Sequence, residues 1–145
     1  MRYLYPVTLQ QDENNQFVAT CRDIPEAITG GESKIEALNC MSDALGAALA
    51  GYSLDGLNIP VPSRLLKNEY RVPVPPLIAA KLVLRSAMAE KGYSNVTLAK
   101  HLGLSEGAVR RLVNPDHASK LDGVIHALAL VGRQLVVEDL LAEPG

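Results

Sequence analysis

Two adjacent arginines, Arg110 and Arg111, are the side chains of this sequence whose type and setting point most directly to a chemistry. A guanidinium presents a planar fork of donors, and that fork matches the O6 and N7 acceptors of guanine in the major groove of DNA. The pair follows Ser105, Glu106 and Gly107 in a stretch where Val109 and Leu112 are the apolar positions. The second helix of a helix-turn-helix enters the major groove by its N-terminal part, so Ser105, Glu106, Gly107, Arg110 and Arg111 form the expected reading set. Asn95 and Thr97 open the preceding helix, where free backbone N–H groups and short polar side chains suit a phosphate. Lys100 and Asn114 complete the expected DNA-binding residues, and His117 is a further phosphate candidate.

Other chemistries find less support. Asp23, Glu26, Glu32 and Asp43 are the carboxylates that would have to hold two metals in a nuclease, but turns, helix capping and solvation explain their positions. His101, His117 and His126 are spread over different elements, and no Ser or Cys has a recognisable base beside it. The two cysteines, Cys21 and Cys40, are too few for a zinc site or a disulfide framework and are expected as reduced, structural thiols. Gly30-Gly31 is too short for a phosphate loop and is expected to end a strand. No catalytic residue, metal or cofactor is therefore expected.

The elements that must position the arginines are legible in the spacing. Val96, Leu98, Ala99 and Leu102 give one short helix an apolar face, and Gly103 follows where a tight turn needs positive φ. Ser105 is placed to cap the next helix, whose Val109 and Leu112 face the core. Upstream, Pro76 suits a first helical turn, Leu77, Ala80, Leu84 and Met88 form a stripe, and Gly92 ends it. Downstream, Ser119 with Asp122 predicts a cap for a helix carrying Leu121, Val124, Ile125, Leu128 and Ala129, ending near Gly132. Leu135 and Val137 predict a terminal strand. That strand can fold back on its own domain or pair with its copy in a second subunit; the second is the favoured reading, and the resulting dimer would match a palindromic operator.

The first half reads as β-β-β-α-β. Tyr3, Tyr5, Val7 and Leu9 alternate at period two, Asp12–Asn15 turns, and Phe17–Cys21 return antiparallel. A short strand around Ala27–Thr29 stops at the glycines. Ser33 and Glu36 fit a capping box for a helix bearing Ile35, Leu38, Met41, Ser42, Leu45 and Leu49, with Gly51 as its expected end. Residues 52–68 read as a loop, and Tyr70, Val72 and Val74, interrupted by Pro73 and Pro75, as an edge strand. The expected domains are thus 1–70, α/β (α+β), and 71–145, all-α helix-turn-helix with the short terminal strand.

Charge follows the same division. The chain of 145 residues carries a net charge of −2, but residues 1–70 hold five Lys/Arg against nine Asp/Glu, while residues 71–145 hold nine against seven. The halves want different partners. No stretch approaches the run of about 18 apolar residues that spans a membrane, and the start shows no secretory signal, so a cytoplasmic location and no membrane partner are expected.

The residues resemble the HicB antitoxins of bacterial type II toxin-antitoxin systems. The resemblance rests on Asp23-Ile24-Pro25-Glu26-Ala27, Thr29-Gly30-Gly31-Glu32-Ser33, Glu36-Ala37-Leu38 and Asp43-Ala44-Leu45 in the first half. In the second it rests on Val74-Pro75, the helix-turn-helix, and His117-Ala118-Ser119-Lys120-Leu121-Asp122. It implies a partial RNase H-like first domain that binds and blocks a HicA-type toxin, an mRNA-cleaving ribonuclease. It also implies a second domain, Xre/Cro-like rather than ribbon-helix-helix, that represses its own operon at operator double-stranded DNA as a homodimer or higher oligomer. The alternative is a stand-alone transcriptional regulator whose first domain senses a small ligand.

Overall fold

A computed structural model describes residues 1–142. The chain forms two compact units, Met1–Pro75 together with residues 139–142, and Pro76–Glu138.

In the first unit, strands β1 (Leu4–Gln11), β2 (Phe17–Thr20), β3 (Ile28–Gly31) and β4 (Tyr70–Pro73) build an antiparallel sheet in the order β3-β2-β1-β4. The β1–β2 turn is held by Asp12, whose carboxylate accepts the N–H groups of Asn14 and Gln16, both at 2.9 Å. The edge position expected for the proline-bearing β4 is observed, with Leu4 opposite Pro73 and Tyr5 opposite Val72. Pro6 lies inside β1, but there β1 is laddered to β4 alone, since its pairing with β2 runs over Thr8–Gln11. A residue without an N–H is tolerated where one flank is open.

Helix α1 (Lys34–Leu54) packs on the sheet through Ala37, Leu38, Met41, Leu45 and Leu49. Ile35, expected on that face, is 45% exposed, because the buried stripe starts at Ala37. Ser33 accepts the Glu36 N–H as expected, while Glu36 reaches one residue past the cap to the Glu32 N–H. The helix also runs past Gly51, the expected stop. An added side chain at Gly51 would meet nothing, and a lone glycine is tolerated inside a helix. The turn comes instead at Gly56 (φ 73°), where Gly56 and Leu57 N–H groups close onto Ser53 and Tyr52 carbonyls.

The two glycines before α1 do not merely end a strand. Both are paired within β3, opposite Val18 and Phe17, and a Cβ at Gly31 would lie 2.7 Å from the Ala37 nitrogen. Glycine is needed there because the helix start sits directly on the strand.

The long connection from α1 to β4 is tied to the sheet by polar contacts. The Tyr5 hydroxyl donates to the Pro60 carbonyl (2.6 Å), and Ser63 donates its N–H to Asp23 (2.7 Å) and its hydroxyl to the same carboxylate. Arg22 grips both oxygens of Glu69 at 2.8 and 3.0 Å.

The second unit holds α2 (Pro76–Lys91), α3 (Asn95–Leu102), α4 (Glu106–Val113) and α5 (Leu121–Leu130). Ala80, Leu84, Met88, Leu98, Ala99, Val109, Leu112, Val124 and Leu128 share one core. The fully buried Leu98, Val109 and Leu128 each contribute about 1.5–3 kcal/mol.

Three expectations fail in this unit. Val96 is 46% exposed, since Leu98 and Ala99 take the buried side of α3. On α5 the core is met by Val124, Ala127 and Leu128, which leaves Leu121, Ile125 and Ala129 facing out at four-residue spacing. Leu135–Val137 form no strand. The unit contains no other strand to pair with, and a lone extended segment has no ladder to join.

Candidate nucleic-acid interface

Helices α3 and α4 adjoin and are joined by Gly103, Leu104 and Ser105. Gly103 takes φ 68°, and the Gly103 and Leu104 N–H groups both close onto the Ala99 carbonyl. The chain can therefore reverse within three residues, as only a residue free to adopt positive φ allows cheaply.

Each helix begins at a serine cap. The Ser94 hydroxyl oxygen accepts the Thr97 N–H and Ser105 accepts the Ala108 N–H, both at 3.1 Å. The remaining N–H groups of the first turns point outward without intrahelical partners, which makes each end receptive to an anion. Asn95 and Thr97 lie in the first turn of α3, half-buried, and the Thr97 hydroxyl is 3.0 Å from that of Ser94.

Along α4, Val109, Leu112 and Val113 are buried, while Ser105, Glu106, Arg110 and Arg111 are exposed and Gly107 is half-buried. Both arginine side chains lean toward the N-terminus of the helix. Arg110 pairs with Glu106 at 3.4 Å, and the Arg111 guanidinium lies 3.9 Å from where a Gly107 Cβ would sit. That is an ordinary van der Waals distance, so Arg111 lies along the first turn beside position 107 without depending on the missing Cβ. Glu106, Gly107, Arg110 and Arg111 lie on one side of α4, and Ser105 stands before them as its cap.

The other expected residues are more dispersed. Lys100 is exposed on the last turn of α3. Asn114 stands at the opposite end of α4 from Ser105, where its side-chain oxygen accepts the Asp116 N–H (3.0 Å). The His117 ring is 3.2 Å from the Ser119 hydroxyl.

The expected cap of α5 is also differently employed. Its N-cap is Lys120, which makes no side-chain capping bond, and Ser119 turns away to accept a hydrogen bond from Lys81 (2.8 Å). Lys81 is the residue that sequence reasoning missed. It is fully buried, and burial pushes its ammonium below the usual lysine range. A signal was present, since residues 77, 81, 84 and 88 recur at helical spacing and place this lysine inside the apolar stripe.

Two of the four candidate carboxylates of the first unit, Asp23 and Glu26, are occupied structurally. Asp23 accepts from Ser63, and Glu26 accepts the Tyr52 hydroxyl, which lowers the Glu26 carboxyl below its ordinary range and pushes the phenol up to about 12. Among the described residues no three His, Cys, Asp or Glu side chains are grouped to hold a metal, and no helix is long and apolar enough to cross a membrane.

The chain thus carries one mixed sheet-and-helix unit and one all-helical unit with an open, arginine-bearing helix. Comparison with known proteins gives it a family. Residues 4–83 match the model of the HicB-like antitoxin of bacterial toxin-antitoxin systems. Antitoxin HicB 2 of Photorhabdus laumondii is 40% identical over 131 residues, covering 90% of this chain and 92% of the relative. Antitoxin HicB of Escherichia coli is 35% identical over 131 residues (90% and 95%), and that of Pseudomonas fluorescens 34% over 127 residues (87% and 87%). The chain belongs to the HicB-like antitoxin family.

Proposed function

We propose that this protein binds and neutralises a HicA-type, mRNA-cleaving ribonuclease through its first unit and represses its own operon through its second. In this reading α3 and α4 are a helix-turn-helix of the Xre/Cro kind and α4 is the recognition helix. The observation that carries it is the open face of α4, where Arg110 and Arg111 lie along a serine-capped first turn in a chain of the antitoxin family. The N-terminal part of such a helix enters the major groove, and arginine reads guanine there with two hydrogen bonds.

The excess of acidic residues in positions 1–70 supports the first role, because a toxin that handles RNA needs a basic surface and opposite charge speeds association. A homodimer is part of the proposal. Leu121 and Ile125 are each 41% exposed on α5, and Val136 and Val137 are 89% and 94% exposed just beyond it. Apolar side chains so placed suit burial against a second copy, with the tail gaining its missing strand partner there.

Co-expression with a HicA-type toxin tests the toxin role. Growth should resume when this protein is made, and persisting arrest in the presence of the intact, bound protein would count against it. Retardation of a duplex taken from upstream of the gene, abolished by excess of the same duplex but not by random DNA, is expected for the repressor role. Equal competition by both would refute it.

A further inference from the structure

We infer that Lys81 is a positioning residue for base reading: from beneath α4 it clamps the end of that helix and the loop after it, and so sets where Arg110 and Arg111 fall on DNA. The inference rests on the reading of α4 as the recognition helix.

The side chain is fully buried on α2, between Ala80 and Leu82, which are buried too. An ammonium in such a place is tolerated only if oxygens replace its water. Four do so. The three Nζ protons are shared among the carbonyls of Arg111 (3.3 Å), Asn114 (2.9 Å) and His117 and the Ser119 hydroxyl oxygen (2.8 Å). All lie within residues 111–119, at and beyond the C-terminal turn of α4. One turn along α2, Arg85 donates to the Val113 carbonyl (3.1 Å).

The last carbonyls of a helix have no intrahelical donors, and the helix dipole places negative charge there. Here two cations from α2 answer that end of α4. The network also draws in Ser119, which would otherwise be free to cap α5. Such a connection fixes more than stability. Helix α4 has only eight residues, so a small tilt at its C-terminal end displaces the arginine tips at its open face. Lys81 itself is sealed from solvent, so its ammonium is closed off from any phosphate at the surface.

That separation gives the test its readout. Duplexes selected from a random pool by the full wild-type chain serve as probes, with an unselected duplex of equal length as the reference. If selection enriches no sequence, base reading by α4 fails, whatever Lys81 does. With enrichment established, Lys81→Met should lower affinity for the selected duplex about tenfold or more. Affinity for the unselected duplex and the salt slope should be unchanged, because the count of phosphate contacts is unaltered. A residue needed only for folding would lose both affinities together, and a phosphate-binding lysine would lower the salt slope.

Ser119→Ala is the milder companion. It keeps the buried charge and removes one link to the loop, and should lower the selected-to-unselected ratio in the same sense by a smaller factor. A folded Lys81→Met protein with an unchanged ratio would overturn the inference. Should Lys81→Met fail to fold, an unchanged ratio in Ser119→Ala would overturn it equally, and a lowered ratio would support it.

Discussion

Arg110 carries the proposed base reading most exposed to test. Its ion pair with Glu106 is solvent-exposed, and such pairs are worth only about 0.3–0.5 kcal/mol, so the guanidinium can leave Glu106 for a guanine edge at small cost. Arg110→Ala should weaken operator binding by about 1–3 kcal/mol and relax the base preference at one position, measured by titration against single-base operator variants. Uniform weakening across all variants would instead place Arg110 on the phosphates. Gly103 offers a cleaner residue-level experiment. An added methyl would meet nothing within 4 Å, so Gly103→Ala isolates the strain of a side chain at φ 68°. Thermal unfolding should report a loss of about 1–2 kcal/mol, and no loss would mean that the turn relaxes to another conformation.

At the scale of elements, the packing of α1 on β3 depends on Gly31. A Cβ there meets helix backbone at 2.7 Å, which cannot swing aside like a flexible side chain. Gly31→Ala should destabilise the first unit by about 1–3 kcal/mol in denaturant titration. The link between the turn at Glu26 and α1 through Tyr52 has a pH signature. The Tyr52 phenol is raised from 10.0 to about 12 by donating to Glu26, so the link is fully present below pH 10 and is lost as pH rises through about 12. The Glu26 carboxyl is lowered by the same bond, so its contribution stands above the ordinary value of 4.5 and is lost as pH falls through the folded value. Absorbance titration of tyrosinate should show two late-ionising groups, the buried Tyr5 and Tyr52, of which Glu26→Gln returns one toward pH 10. A late group that persists in Glu26→Gln and vanishes in Tyr52→Phe would assign the shift to another cause.

At the scale of the whole molecule, the proposed dimer rests on apolar surface that the chain alone leaves open. The double variant Val136→Asp, Val137→Asp puts charge on the two most exposed large apolar residues of the second unit without touching its core. Sedimentation should shift from dimer toward monomer, and operator affinity should fall because one chain covers only one half-site. A monomeric wild-type protein would remove the dimer from the proposal. The opposed charge balance of residues 1–70 and 71–145 belongs to the same scale, since it directs two kinds of partner to two parts of one chain.

Much of this protein is determined by local chemistry and so was legible in the sequence. The alternation of Tyr5 and Val7, the prolines of an edge strand, the Ser33 and Ser105 caps and the turn at Gly103 each depend on neighbours within a few residues. Tertiary structure decided what depends on distant ones. It moved the end of α1 from Gly51 to Leu54, turned Ile35, Val96 and Ile125 outward, and left Leu135–Val137 without a ladder. It also paired Lys81 with carbonyls 30 to 36 residues away. Spacing tells which side of a helix is apolar, but which part of that side is buried depends on the shape of the surface it meets. A buried cation is intelligible only once the oxygens that replace its water have been brought to it by the fold.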